Sequence, residues 1–147
     1  MKNSLLLSIT LVTLAFMCGC ESTPVGHDVT GDVGPSPTGE IRINEVSPNG
    51  SMKDWVELYN GTETAIDLGG WVFTDSDPSH VYTFPDATII QPGAFLVIFK
   101  SETTGFDFGL GNEDQVLLYD SEGNPVDSVS WKKGDAPSDT SYGRLPD

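Results

Sequence analysis

From Glu40 onward the chain is written in short runs with a period of two, each stopped by turn residues. That alternation is the repeat of a β-strand, whose side chains point to opposite faces in turn. The runs are IRINEVS (41–47), DWVELYN (54–60), GWVFTDS (70–76), HVYTFP (80–85), AFLVIFK (94–100), QVLLYDS (115–121) and PVDSVSW (125–131), with short pieces at AIDL (65–68) and TII (88–90). Between them stand Pro48-Asn49-Gly50, Asn60-Gly61, Gly69-Gly70, Asp77-Pro78, Pro92-Gly93 and Glu122-Gly123-Asn124. Gly, Pro, Asn and Asp supply the backbone angles and local hydrogen bonds that tight turns need. No long stretch beyond the N-terminus keeps the i, i+3, i+4 apolar spacing of a helix. Roughly seven to nine short strands is sandwich size, so the expected class is all-β.

The pattern also places side chains. Ile41 and Ile43 share one face, and the alternation then shifts to Val46, which predicts a bulge near Asn44–Glu45. In 54–60, Val56 and Leu58 share one face while Trp55, Glu57 and Tyr59 share the other. The apolar runs AFLVIF and VLLY are expected at the centre of sheets, covered on both faces. Burying each Leu, Ile or Phe contributes about 1.5–3 kcal/mol, so such a core holds without disulfides.

The chain carries 7 Lys and Arg against 22 Asp and Glu, a formal charge of −15 over 147 residues. A field of that sign repels phosphate backbones, so no nucleic-acid partner is expected. The only cysteines, Cys18 and Cys20, end the first apolar run. Lys2 followed by the apolar stretch Leu5–Met17 reads as an export signal. The stretch is shorter than the ~20 residues of a spanning helix. A disulfide between residues two apart would be badly strained. A metal site needs about four ligands, and the only histidine nearby is His27.

MCGC (17–20) instead resembles the lipobox of bacterial lipoproteins, with Gly19 in the small position before the modified thiol and Met17 in place of the usual Leu. The resemblance implies cleavage between Gly19 and Cys20, acyl chains such as palmitate on Cys20, and a membrane as partner. It implies residence in a bacterial cell envelope. Glu21, rather than Asp, after the lipidated position leans toward the outer membrane or cell surface. Residues 1–19 are then a signal peptide, and 20–39 a lipidated Cys with a tether poor in large apolar side chains. Its length spans at most roughly 65 Å.

The runs of 40–147, from IRINEVSPNG and DWVELYNGTETAIDLGGWVFTDS through YTFPDATIIQPGAFLVIFK to VLLYDSEGNPVDSVSW, resemble a lamin tail domain. That family implies an immunoglobulin-like β-sandwich and mostly non-catalytic modules joined to other domains. Bacterial members usually continue after a segment like SYGRLPD (141–147). The chain stops at Asp147, so a C-terminal truncation is expected.

The remaining motifs offer little chemistry. There is no Gly-x-Ser-x-Gly, His-Glu-x-x-His or phosphate loop, and no catalytic residue is expected. His80 reads as a surface histidine at a strand start. Glu45 and Glu57 lie on consecutive strands as candidate neighbours, without the deep cleft that glycosidic chemistry uses. Asp75-Ser76-Asp77 and Asn112-Glu113-Asp114, with Asp107, are oxygen-rich enough to consider one Ca²⁺, but neither loop has calcium-loop spacing; no cofactor or metal is the expectation. Trp131-Lys132-Lys133 reads as a solvated strand end, and NGS (49–51) and NGT (60–62) as Asn-Gly turns. Trp55, Glu57 and Tyr59 form an aromatic–acid–aromatic stripe, the candidate ligand face. The expected function is a lipid-anchored, non-catalytic binding or scaffolding module with a protein or glycan partner. The alternatives are the N-terminal accessory part of a longer surface hydrolase, a nuclease or phosphatase, and a glycan-binding module.

Overall fold

The computed structural model describes residues 41–48 and 53–144. The signal segment, Gly19, Cys20, the tether and Asn49-Gly50-Ser51 lie outside the described residues. Within them the secondary structure is strand and turn: β1 (Ile41–Ser47), β2 (Trp55–Asn60), β3 (Ile66–Asp67), β4 (Val72–Thr74), β5 (Val81–Thr83), β6 (Ile89–Ile90), β7 (Phe95–Phe99), β8 (Asp114–Tyr119), β9 (Pro125–Trp131) and β10 (Tyr142–Gly143). They form two four-stranded sheets, ordered β10-β1-β2-β7 and β5-β4-β8-β9, and a two-stranded ribbon β3-β6. Every pairing among them is antiparallel. This is the β-sandwich that the number of short strands implies, and it is of the immunoglobulin-like kind that the lamin-tail resemblance implies.

The inward positions of both sheets make one core. Ile41, Ile43, Val46, Val56, Leu58 and Ile98 come from the first sheet, and Phe73, Val116, Leu118 and Val129 from the second. Phe73 sits at its aromatic centre, with Phe106 at 5.3 Å, Phe108 at 5.9 Å and Phe84 at 6.0 Å between ring centroids, all edge-to-face. That geometry sets positive ring edges against negative faces. The predicted bulge is present: the β1–β2 register shifts between Ile43 and Glu45.

Two side chains close the sandwich along the β1–β9 edge. Asp127, buried on β9, accepts a hydrogen bond from the Ile43 backbone N–H at 2.7 Å and another from Arg144 Nη2 at 2.8 Å. Arg144 also donates to the Ser128 carbonyl and, through its backbone N–H, to the Asn44 carbonyl. The C-terminal strand therefore straps β1 to β9. Gly143 fits this strap because an added Cβ would sit 2.9 Å from Glu45 Cγ and 3.2 Å from the Asn44 carbonyl.

Two expectations need correction. AFLVIF is not central and covered: it is β7, the edge of its sheet, paired with β2 on one side only. Leu96 and Ile98 face the core, whereas Phe95, Val97 and Phe99 are 47%, 38% and 51% exposed. VLLY does sit centrally, on β8 between β4 and β9, with Val116 and Leu118 buried and Leu117 and Tyr119 half-buried. Trp131 is also not a solvated strand end. It is buried, and its Nε1–H donates to the Gly111 carbonyl at 2.9 Å, while Lys132 and Lys133 are exposed.

Candidate binding face

On β2 the buried positions are Val56, Leu58 and Asn60, so the pleat turns Trp55, Glu57 and Tyr59 to the outside. The β2–β7 register sets Trp55 opposite Phe99, Glu57 opposite Val97 and Tyr59 opposite Phe95. Six outward side chains on two adjacent strands thus form a single face, apolar apart from Glu57. The sequence stripe supplies half of it. The other half comes from β7, whose all-apolar sequence implies a covered central strand and so carries no sign of an exposed face.

Contacts within this face differ from one end to the other. The Tyr59 and Phe95 rings lie 4.8 Å apart, tilted by 42°. The Arg42 guanidinium, on the neighbouring strand, stands 4.7 Å from the Tyr59 ring centroid, a cation–π distance. Tyr59 is therefore engaged on its own sheet from both flanks. Glu57 accepts from Asn44 Nδ2 at 3.0 Å. Glu45 is its cross-strand partner in register and accepts from Ser141 Oγ. The two glutamates are neighbours, as their consecutive strands allow, but each is held by a separate neutral donor rather than facing a common cleft.

The acidic loops meet at the end of the second sheet. Ser76 N–H donates to Asp114 Oδ1 at 3.2 Å, so 75–77 and 112–114 are adjacent. Asp114 also accepts from the Gly111 and Gln115 N–H groups. Burial works to raise its pKa, but these hydrogen bonds together outweigh burial and hold it below the ordinary 3.8. Asp75 is buried and accepts from the Asp77 N–H at 2.7 Å and contacts His80 Nδ1 at 2.8 Å. His80 stacks on Phe108 at 5.0 Å and 4°. Its pKa is raised above the ordinary 6.5, first by the hydrogen bond to Asp75; burial opposes that rise, and the charges of Asp75, Asp77 and Asp107 add to it. His80 is thus the partner of a buried carboxylate rather than a plain surface residue. Among the described residues no group of three or more His, Cys, Asp or Glu side chains is placed to hold a metal ion.

Asn60 opens the NGT run and is fully buried. Its Nδ2 donates to the Thr64 and Ile90 carbonyls, and its Oδ1 accepts from the Thr62 N–H and hydroxyl. It pins the β2 end to the β3–β6 ribbon. An Asn-Gly pair signals a turn; burial of the Asn side chain is a tertiary fact that the pair does not carry.

Fold and surface together define an immunoglobulin-like module with an exposed apolar face. The family model for the Lamin Tail Domain matches residues 34–133, about two-thirds of the 147-residue chain. The chain belongs to the lamin tail domain family, a family of non-catalytic immunoglobulin-like domains. A search of the curated proteins found no match.

Proposed function

We propose that this chain is a lipid-anchored, non-catalytic binding or scaffolding module of a bacterial cell envelope, at the outer membrane where the host has one. Cys20 carries the lipid, residues 21–39 are the tether, and the outer face of β2 and β7 is the contact surface. The observation that carries the binding role is the exposure of Phe95, Val97 and Phe99 side by side in a body whose other large apolar side chains are mostly buried. Contiguous exposed apolar area on a soluble domain marks an interaction surface. The anchoring role is supported by the MCGC lipobox and by the short apolar run before it. Two or three acyl chains, at about 0.8 kcal/mol per buried CH₂, hold a protein stably on a bilayer.

The test is mass spectrometry of the mature N-terminus with membrane fractionation of wild type and Cys20→Ala. Wild type is expected in the membrane fraction with an acylated Cys20, and the variant in the soluble fraction. A variant that stays with the membrane, or an intact leader with a free thiol, defeats the anchor.

A glycan ligand is the second reading, favoured by half-exposed Trp55 beside the Glu57 carboxylate. A glycan array in which Trp55→Ala changes nothing removes it.

A further inference from the structure

The sheet edges are treated differently. Strand β10 has two residues and β5 three. Strand β9 is longer but opens with Pro125, and its Asp127 is tied to β1 and Arg144. Short strands, prolines and covering contacts are the usual protections of an edge. Strand β7 has none of them among the described residues before its last residue, Phe99. It pairs with β2 in unbroken register and carries no charge, proline or bulge, and among the described residues no strand lies beyond it.

Its free groups can be named. Lys100 N–H donates to the Asp54 carbonyl and Asn60 N–H to the Ala94 carbonyl. Even-numbered residues therefore bond toward β2, and in an antiparallel ladder the odd-numbered ones turn their N–H and C=O outward. The Phe99 carbonyl is covered by the following turn, since a Cβ on Gly105 would lie 1.8 Å from it. The open groups are the N–H and C=O of Phe95 and Val97 and the N–H of Phe99.

We infer that the β7 edge is a homotypic contact, in which two copies of this chain join their first sheets antiparallel about a two-fold axis at Leu96. This register uses only the open groups: Phe95 faces the partner's Val97, and Val97 the partner's Phe95, through four backbone hydrogen bonds. On the outer face it sets each aromatic ring against a β-branched side chain, a favourable cross-strand pair. The covered Phe99 carbonyl takes no part.

Charge and length agree with a second copy. Residues 94–99 form an uncharged stretch in a chain of −15. The nearest acid on this face, Glu57, would stand about 14 Å from its counterpart across three strand spacings, beyond a Debye length of about 8 Å. The two β1 strands would start on the order of 25 to 35 Å apart. Cys20 to Ile41 is 21 residues, up to about 70 Å extended, so both chains reach one membrane. Two residues of each copy make the backbone contact, far fewer than the roughly 20–30 a side of a standard interface, which makes the pairing weak in solution. Two copies anchored on one surface gain effective concentration; only that gain rests on the lipid anchor.

The test is sedimentation equilibrium of the full chain in mild detergent, wild type and Cys20→Ala, each with and without Val97→Pro. Proline at 97 removes only an N–H that points outward, so near-UV circular dichroism should stay native. Both Cys20 forms are expected to show a concentration-dependent dimer. Val97→Pro removes two of the four bonds and should weaken it about 30-fold, which corresponds to about 2 kcal/mol. Phe95→Lys, which needs no backbone change, should weaken it at least as much, and Ile89→Ser, exposed on another strand, should leave it unchanged. A monomer at every concentration, or a dimer that survives both Val97→Pro and Phe95→Lys, overturns the inference. A dimer in wild type but not in Cys20→Ala also overturns it, and locates the association in the lipid.

Discussion

The two lateral edges of the first sheet solve the same problem in opposite ways. At the β1 edge, a two-residue strand, a buried aspartate and an arginine occupy the backbone and lock it to the second sheet. At the β7 edge the strand leaves hydrogen-bonding groups open at Phe95 and Val97, in a row with Phe99 of exposed apolar side chains. The first edge holds the sandwich together. The second leaves surface for something else. A substitution should therefore cost stability at one edge and association at the other.

The largest effect is expected at Asp127. Asp127→Ala leaves the Ile43 N–H without its acceptor and the Arg144 guanidinium without its counter-charge, with only the Ser128 carbonyl to accept from it, at a cost of about 3–5 kcal/mol. Urea unfolding measures it, and a loss below about 1 kcal/mol would mean that the strap is dispensable. Asn60→Ala should come next, at about 2–3 kcal/mol, because the Ile90 carbonyl loses this donor, the Thr64 carbonyl keeps only the Thr62 hydroxyl, and the Thr62 N–H loses its acceptor.

A smaller effect concerns pH, in the turns that flank the strands of the second sheet. His80 has a pKa raised above 6.5, so its contribution is complete below about 6.5 and is lost as pH rises through the higher folded value. Asp77, Asp114 and Asp120 have values lowered from 3.8, so their contributions are present above that value and are lost as pH falls through the lower folded ones. A melting-temperature profile should fall on both sides, and His80→Gln should flatten mainly the alkaline limb, since its charge is the least of the causes that lower Asp77. Smallest of all, Phe99→Ser at the open edge should change unfolding stability by no more than about 0.5 kcal/mol. A large loss there would show that β7 is part of the core after all and erase the contrast between the edges.

Much of this architecture is legible in the residues. The alternation places β1 and β9 to the residue, and the shift at Val46 marks the bulge. It also puts Trp55, Glu57 and Tyr59 on one face. It fails where neighbours decide. An all-apolar strand reads as covered on both faces, yet whether another strand lies beside β7 depends on the path of 101–108, not on β7 itself. Tyr142-Gly143 has too few residues to show any period, and it becomes a strand because Glu45 and Val46 lie opposite. Trp131 looks solvated beside two lysines until Gly111 is brought to its Nε1–H. His80 finds Phe108 only through the fold.

The strap has a mechanical consequence. Arg144 lies beside Asn44, three residues from the start of β1, so the described body is entered and left at nearly the same place. Any load passed from the segment before Ile41 to one after Arg144 would peel β10 from β1 one bond at a time rather than shear the ladder as a unit. A module wired in this way yields first at its own tail, while the sheet that bears the aromatic face stays whole.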